Sequence, residues 1–308
     1  MPLLHVLLRV WQSLLTSFGT NIQRNDHLNA SHSHLRNLTS KIRKLRWIGG
    51  TSSANVYEAV YSTATTSKQI AVKSLRIEIF GNRGQSEGEE LLIRANAWMT
   101  LQHDNILVPI GFADGFGPLP SIVYDWMPGG TLTSYLEENS DSLSVLQRFY
   151  LIKQIASGLC YLHHKNVVHG NLHGNNVLID AMGVAYLADY DITATHRGQH
   201  IPPSVRWAAP ERFDSQNVVA PTTKSDVYSL GSIIYQILTS RQPYYEVKSR
   251  SKVSIEILNG NRPSRSHDTH IADHHWLFMQ RCWSVPENRP SAAEVLRFSQ
   301  TEVELLIT

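Results

Sequence analysis

The chain changes pattern once, at Pro128-Gly129-Gly130, and that change limits what it can fold into. Upstream, apolar residues come in short β-branched runs over 45–48, 56–61, 69–74, 106–112 and 122–124, which suits strands of one sheet. One helical stretch, 89–101, interrupts them. Downstream, the pattern is mostly helical. Ser144-Val145-Leu146-Gln147 has the form of a capping box, opening a helix predicted to reach His163. Residues 226–238 read as an apolar helix, and Ser291-Ala292-Ala293-Glu294 caps the last one. The expected class is α+β, with a small strand-rich lobe over 41–127 and a larger helical lobe over 128–308. A chain of 308 residues has enough apolar sequence for such a core, and no internal repeat is evident.

Charge and cysteine content narrow the setting. The net charge of +2 carries no long basic run, so nucleic acid is not the expected partner. Cys160 and Cys282 are the only cysteines, each in an apolar context, which points to a reducing, cytoplasmic compartment rather than a disulfide framework. No run is long and apolar enough for a transmembrane helix. Over residues 3–18, Leu4, Leu7, Leu8, Trp11, Leu14, Leu15 and Phe18 recur at helical spacing. Arg9 sits in the middle of that stretch, where a secretory signal would be uninterrupted. The reading is an amphipathic helix that packs on the domain or a partner, with a membrane-surface anchor and a targeting segment as alternatives. Residues 19–40 are polar and read as a linker.

Several short segments carry chemistry, in a fixed order. They are Ile70-Ala71-Val72-Lys73, the hinge-like Ile122 to Leu132, His169-Gly170-Asn171-Leu172-His173-Gly174-Asn175-Asn176, Ala188-Asp189-Tyr190-Asp191, Ala209-Pro210-Glu211, Asp226 to Gly231, and Cys282-Trp283 followed by Arg289-Pro290. Together they resemble the motif set of the protein-kinase family over about residues 41–305. The hinge and the tail are most like the tyrosine-kinase-like branch, with its fungal groups. The resemblance implies a bilobal kinase fold with ATP and Mg²⁺ as cofactors. It implies that Lys73 contacts the nucleotide phosphates, that Asp189 and Asn176 hold the metal, and that Asn171 stands at the position of the catalytic base. Gly49, Gly50, Val56, Ala71, Asp125, Met127 and Leu178 would line the nucleotide pocket with Lys73. Glu211 and Arg289 would pair inside the large lobe.

The departures from that pattern cluster in the site. Asn171 replaces the family's Asp, and an amide takes up no proton at relevant pH. In the glycine loop, Thr51 and Ala54 fill two of three glycine positions, and the added Cβ atoms limit close approach to phosphate. Arg94 falls where a helix Glu should pair with Lys73; Glu90, one turn earlier, could substitute if the helix shifted. Gly170 replaces an Arg, His173 a Lys, and Asp191 a Gly.

Three readings follow. One is a pseudokinase that binds ATP and acts as a scaffold or allosteric regulator of another signalling protein. The second is a weakly active Ser/Thr protein kinase, because phosphoryl transfer rests more on positioning and metal than on the base. The third is a small-molecule phosphotransferase, because residues 169–176 also resemble the H-G-D-L-H-x-x-N loop of aminoglycoside and choline kinase relatives. Metal chelation by His163, His164, His169 or His173 is disfavoured, and Cys160 reads as a core thiol. Thr193, Thr195 and Ser204 are candidate phosphorylation sites.

Overall fold

The computed structural model describes residues 35–50, 54–76, 84–189, 204–213, 219–265 and 271–308. The amphipathic segment 3–18, Thr51, Asp191, Thr193, Thr195 and the side chain of Glu90 lie outside the described parts.

Five strands form one antiparallel sheet: β1 (Ile42–Gly50), β2 (Ala54–Ser62), β3 (Ser67–Leu75), β4 (Gly111–Ala113) and β5 (Ser121–Asp125), in the order β1-β2-β3-β5-β4. Strand periodicity sorts β3 onto two faces. Ile70 and Val72 point to one face, where they bury with Ala59, Val123, Ala113 and Leu38. Ala71 and Lys73 point to the other. There Val56 and Ile122 stand opposite Lys73, and Tyr124 stands opposite Ala71. Helix α1 (Gly84–Met99) covers this second face with Leu91, Ala95 and Trp98, a one-sided apolar stripe. Register thus fixes Lys73 between the sheet and what packs beneath it.

Two expectations need correction here. Residues 35–40, expected as the end of the polar linker, join the folded domain, because Leu35 and Leu38 are buried and 36–38 run beside β4. Leu38 N–H donates to Phe112 O at 2.8 Å, and Phe112 N–H donates to Arg36 O at 2.9 Å. Gly111 permits this approach: a Cβ there would lie 2.6 Å from Arg36 O. The single strand expected over 106–112 is also broken. Only 111–113 joins the ladder, and Ile106 instead bridges Leu187. Pro109 lies between them and has no N–H to give a sheet.

The helical lobe contains α2 (Leu132–Asn139), α3 (Val145–His164), α4 (Thr223–Thr239), α5 (Arg250–Leu258), α6 (Asp273–Cys282) and α7 (Ala292–Ile307). The predicted capping boxes at Ser144/Gln147 and Ser291/Glu294 form, and Thr131/Ser134 and Thr222/Ser225 form two more. Helix α4 is buried from Ser225 to Thr239, which marks it as the central helix of the lobe. A second sheet, β6 (Gly130–Thr131), β7 (Val177–Ile179) and β8 (Ala185–Leu187), lies in the same part of the chain and carries the loop that precedes it.

Arg289 ties the end of this lobe to its middle. Its side chain is 0% exposed. Nη1 and Nη2 reach the Glu211 carboxylate at 2.5 and 2.9 Å, Nη1 also donates to Lys224 O at 3.0 Å, and Nε donates to Ser284 O at 2.8 Å. This fork geometry is one that Lys cannot reproduce. Replacing Arg289 with Ala should cost about 3 kcal/mol, the low end for a broken buried pair because Glu211 keeps some solvent. Urea midpoints of wild type, Arg289→Ala and Arg289→Lys test this; equal midpoints would show that the pair contributes nothing.

Candidate functional site

The site is built around a carboxylate at the start of α4. Asp226 is buried, and it accepts the backbone N–H groups of His169 at 2.8 Å and Gly170 at 2.9 Å. His163 Nε2 lies 2.9 Å from the same carboxylate. These bonds hold the 169–176 loop against the helix. Gly170 has φ +75°, a left-handed conformation that glycine takes without strain. A Cβ at that position would come within 2.9 Å of Pro221 Cγ.

Past the anchor, the loop enters a short 3₁₀ turn, Gly174–Asn176, before β7. His173 caps that turn, its Nδ1 accepting Asn175 N–H at 3.3 Å. Asn176 Nδ2 donates to Asn171 O at 2.9 Å, which leaves the Asn176 amide oxygen for another partner. Ala188 N–H donates to Asn176 O at 2.9 Å, so the residue after β8 is held beside the loop.

Next in the chain is Asp189. Its φ of +58° is uncommon for a residue with a Cβ, though Asp tolerates it better than most. Its carboxylate pairs with Lys73 Nζ, and both side chains are more than four-fifths buried. Lys73, Asp189, Asn176 and Asn171 therefore come together from the upper sheet, the loop and the second sheet. The partner of Lys73 among the described residues is this Asp and not a residue of α1. Arg94 is half-buried and lies on the side of α1 that carries Leu91 and Trp98, three and four residues away.

The other predicted pocket residues fall as follows. Gly49 and Gly50 end β1 opposite Val56 and Asn55. A Cβ on Gly50 would meet Ala54 O at 2.7 Å, so this glycine serves the hairpin itself. Ala54, in the third glycine position, is buried in the core. Ala71 is half-buried on the Lys73 face. Asp125 ends β5 and pairs through its carboxylate with Lys68 on β3. Met127 O accepts Gly130 N–H at 3.0 Å, and Leu178 is half-buried at the middle of β7.

Two partnerships were not legible in the sequence. Ser204 Oγ donates to Asn171 Oδ1 at 3.0 Å, from 33 residues further along the chain. His163 serves Asp226 rather than merely ending a helix. No short-range pattern signals either one.

The electrostatics of the loop are those of neutral imidazoles. Burial holds the His169 pKa below its ordinary value. Burial, then the neighbouring His169, pushes His173 down to about 3, with Lys73 lowering it further and Asp189 opposing. His173 thus brings no cation where the family pattern has a Lys.

With this geometry in hand, comparison with known proteins is direct. The family model for protein tyrosine and serine/threonine kinases matches residues 42–298. The chain belongs to the protein kinase family. It is 28% identical over 291 residues to the mitogen-activated protein kinase kinase kinase mkh1 of Cytospora mali, covering 88% of this chain and 16% of that protein. It is 28% identical over 268 residues to the RGS domain-containing serine/threonine-protein kinase A of Dictyostelium discoideum (83% of this chain, 22% of that protein). It is also 28% identical over 238 residues to the tyrosine-protein kinase TXK of Homo sapiens (74% and 42%). The chain thus spans less than half the length of these relatives, which are named for more than one acceptor type. No helix among the described residues is long and apolar enough to cross a membrane.

A pH dependence follows from the two histidines. Below pH 6.5 the unfolded chain takes up protons that folded His169 and His173 refuse. Their contribution to stability is therefore full above about pH 6.5 and is lost as pH falls toward the folded values, for His173 about 3. Urea unfolding from pH 7 to pH 4 should show a falling midpoint, with a shallower fall in His173→Asn. Parallel curves for the two proteins would refute the assignment.

Proposed function

We propose that this chain is a nucleotide-binding pseudokinase that regulates another signalling protein by binding rather than by phosphoryl transfer. The observation that carries the reading is the state of the base position. The Asn171 side-chain amide, which takes up no proton, accepts the Ser204 hydroxyl, while Asn176 holds the Asn171 backbone carbonyl in a loop that is otherwise assembled. General-base catalysis contributes typically about 10²–10⁴-fold, and the residue at that position has no group that takes up the proton. Arg94 in place of an acidic partner for Lys73, and Ala54 in place of a glycine, weaken phosphate positioning further.

The residues present still suit a nucleotide with a hard cation. Asp189 offers a carboxylate and Asn176 an amide oxygen, the donor types that Mg²⁺ takes beside substrate phosphates. Bound there, the ion would neutralise phosphate charge. Lys73 would supply an ammonium to the phosphates, and Asp125 to Met127 the adenine edge. Cytoplasmic placement agrees with the two free cysteines. The amphipathic segment 3–18 is proposed to meet the partner, or a membrane surface.

One observation favours a second reading, a weakly active Ser/Thr kinase. Asn171 Oδ1 accepts a hydroxyl from Ser204, so the same oxygen can orient an acceptor hydroxyl without deprotonating it. A small-molecule phosphotransferase is supported less, because the Glu211–Arg289 pair and the Asp226 anchor follow the protein-kinase pattern.

Transfer of labelled γ-phosphate from ATP with Mg²⁺ or Mn²⁺, to the chain itself and to generic protein acceptors, separates these readings. The expected result is no transfer above the Asp189→Ala background, with ATP still raising the melting temperature of the wild type. Transfer that vanishes in Asp189→Ala and rises about 10²–10⁴-fold in Asn171→Asp would establish the second reading instead.

A further inference from the structure

A second constellation lies in the helical lobe and takes no part in the nucleotide site. His274 and His275, in the first turn of α6, both reach Glu302 near the end of α7. His274 Nε2 lies 3.0 Å from Glu302 Oε1, and His275 Nε2 lies 2.9 Å from Glu302 Oε2. The ligating atoms of all three residues fall within 4.8 Å of one another.

The burial is uneven. The side chains of His275 and Glu302 are 7% and 9% exposed, whereas that of His274 is 57% exposed. Glu302 is thus a buried carboxylate, and among the described residues its ion-pair partners are these two imidazoles and no Lys or Arg. Buried carboxylates are normally matched by a cation, because an uncompensated charge there is costly. An imidazole matches that charge only when it is protonated. Aromatic rings close the inner side: the ring centroids of Phe149 and Phe298 lie 4.8 and 6.3 Å from that of His275.

We propose that His274, His275 and Glu302 bind a first-row divalent cation of the zinc class and so fasten α6 to α7. Two imidazoles and one carboxylate are a donor set that zinc takes, with a fourth position left for water. The exposed His274 side provides that opening. Bonds of about 2.0–2.1 Å in a tetrahedral arrangement place neighbouring donors about 3.3 Å apart. The two His–Glu spacings, each to a different carboxylate oxygen, open by a few tenths of an ångström, and any wider spacing in the set, at most 4.8 Å, closes toward the same value. The apolar wall around His275 limits competition from bulk water on that side.

The site has a chemical cost that is visible in the structure. Ala272 N–H donates to His275 Nδ1 at 3.2 Å, so Nε2 carries the ring proton and donates it to Glu302. Coordination through Nε2 moves that proton to Nδ1 and gives up the Ala272 bond. The gain is a full charge match for Glu302. No redox step or bond rearrangement is involved, and the neutral ring loses no net proton.

Co²⁺ is a suitable probe, because tetrahedral N/O coordination gives strong visible bands that a six-coordinate oxygen site does not. The full chain is stripped with chelator, carries Asp189→Asn to silence the nucleotide site, and is titrated with Co²⁺ in the absence of nucleotide. The expected result is one tetrahedral Co²⁺ per chain with a raised melting temperature. Affinity should fall at least about tenfold in His274→Ala, the exposed ligand whose removal least disturbs folding. Glu302→Gln should lose the bands while retaining both rings. Absence of tetrahedral bands in the starting protein, or identical bands and affinity in His274→Ala, overturns the proposal.

Discussion

The site depends on the carboxylate of Asp226. It is buried in the first turn of α4, where the helix end offsets part of the cost of its charge. It holds the loop through backbone N–H groups of residues 169 and 170, and not through their side chains. An anchor of that kind does not depend on the side chain at 171, whereas the positive φ and the nearby Pro221 favour glycine at 170. Gly170 and Asn171 can therefore stand in place of an Arg and an Asp while the loop keeps its path. This is a physical account of how a member of the protein kinase family can retain the architecture around a base and lack the base itself.

The chemistry that remains is a set of paired groups. Lys73 and Asp189 neutralise each other across the two sheets. The imidazoles of His169 and His173 are kept neutral by burial. Asn171 presents an amide oxygen that already receives the hydroxyl of Ser204. Any external hydroxyl has to compete with a group from the same chain for that oxygen.

Most of the fold was legible because its signals are local. The β-branched run ending in Lys73 marks a strand, and the Ser-x-x-Gln and Ser-x-x-Glu boxes mark helix starts within a residue. The identities of the site residues were legible from the order of their motifs. What escaped was whatever depends on distance through the fold. Leu35 and Leu38 carry no periodicity, so nothing announced that they would pair with β4. Ser204 finds Asn171, and Lys68 finds Asp125, only after the sheet and the lobe are in place. His274, His275 and Glu302 sit on different helices, 27 and 28 residues apart, a spacing that belongs to no metal motif. The backbone state of Asp189 is likewise invisible in its letter.

That backbone state changes what a substitution at Lys73 would mean. Asp189 occupies a conformation costing on the order of 1–3 kcal/mol unless its surroundings enforce it, and the ammonium of Lys73 is the charged group that holds its carboxylate. Removing Lys73 would take away the phosphate contact proposed for it and also release Asp189 to relax elsewhere. A loss of nucleotide binding in such a variant would combine two causes that cannot be told apart from that variant alone. The lysine is part of the site's scaffold as well as its chemistry, and a variant lacking it describes a differently shaped cleft rather than the same cleft with one contact missing.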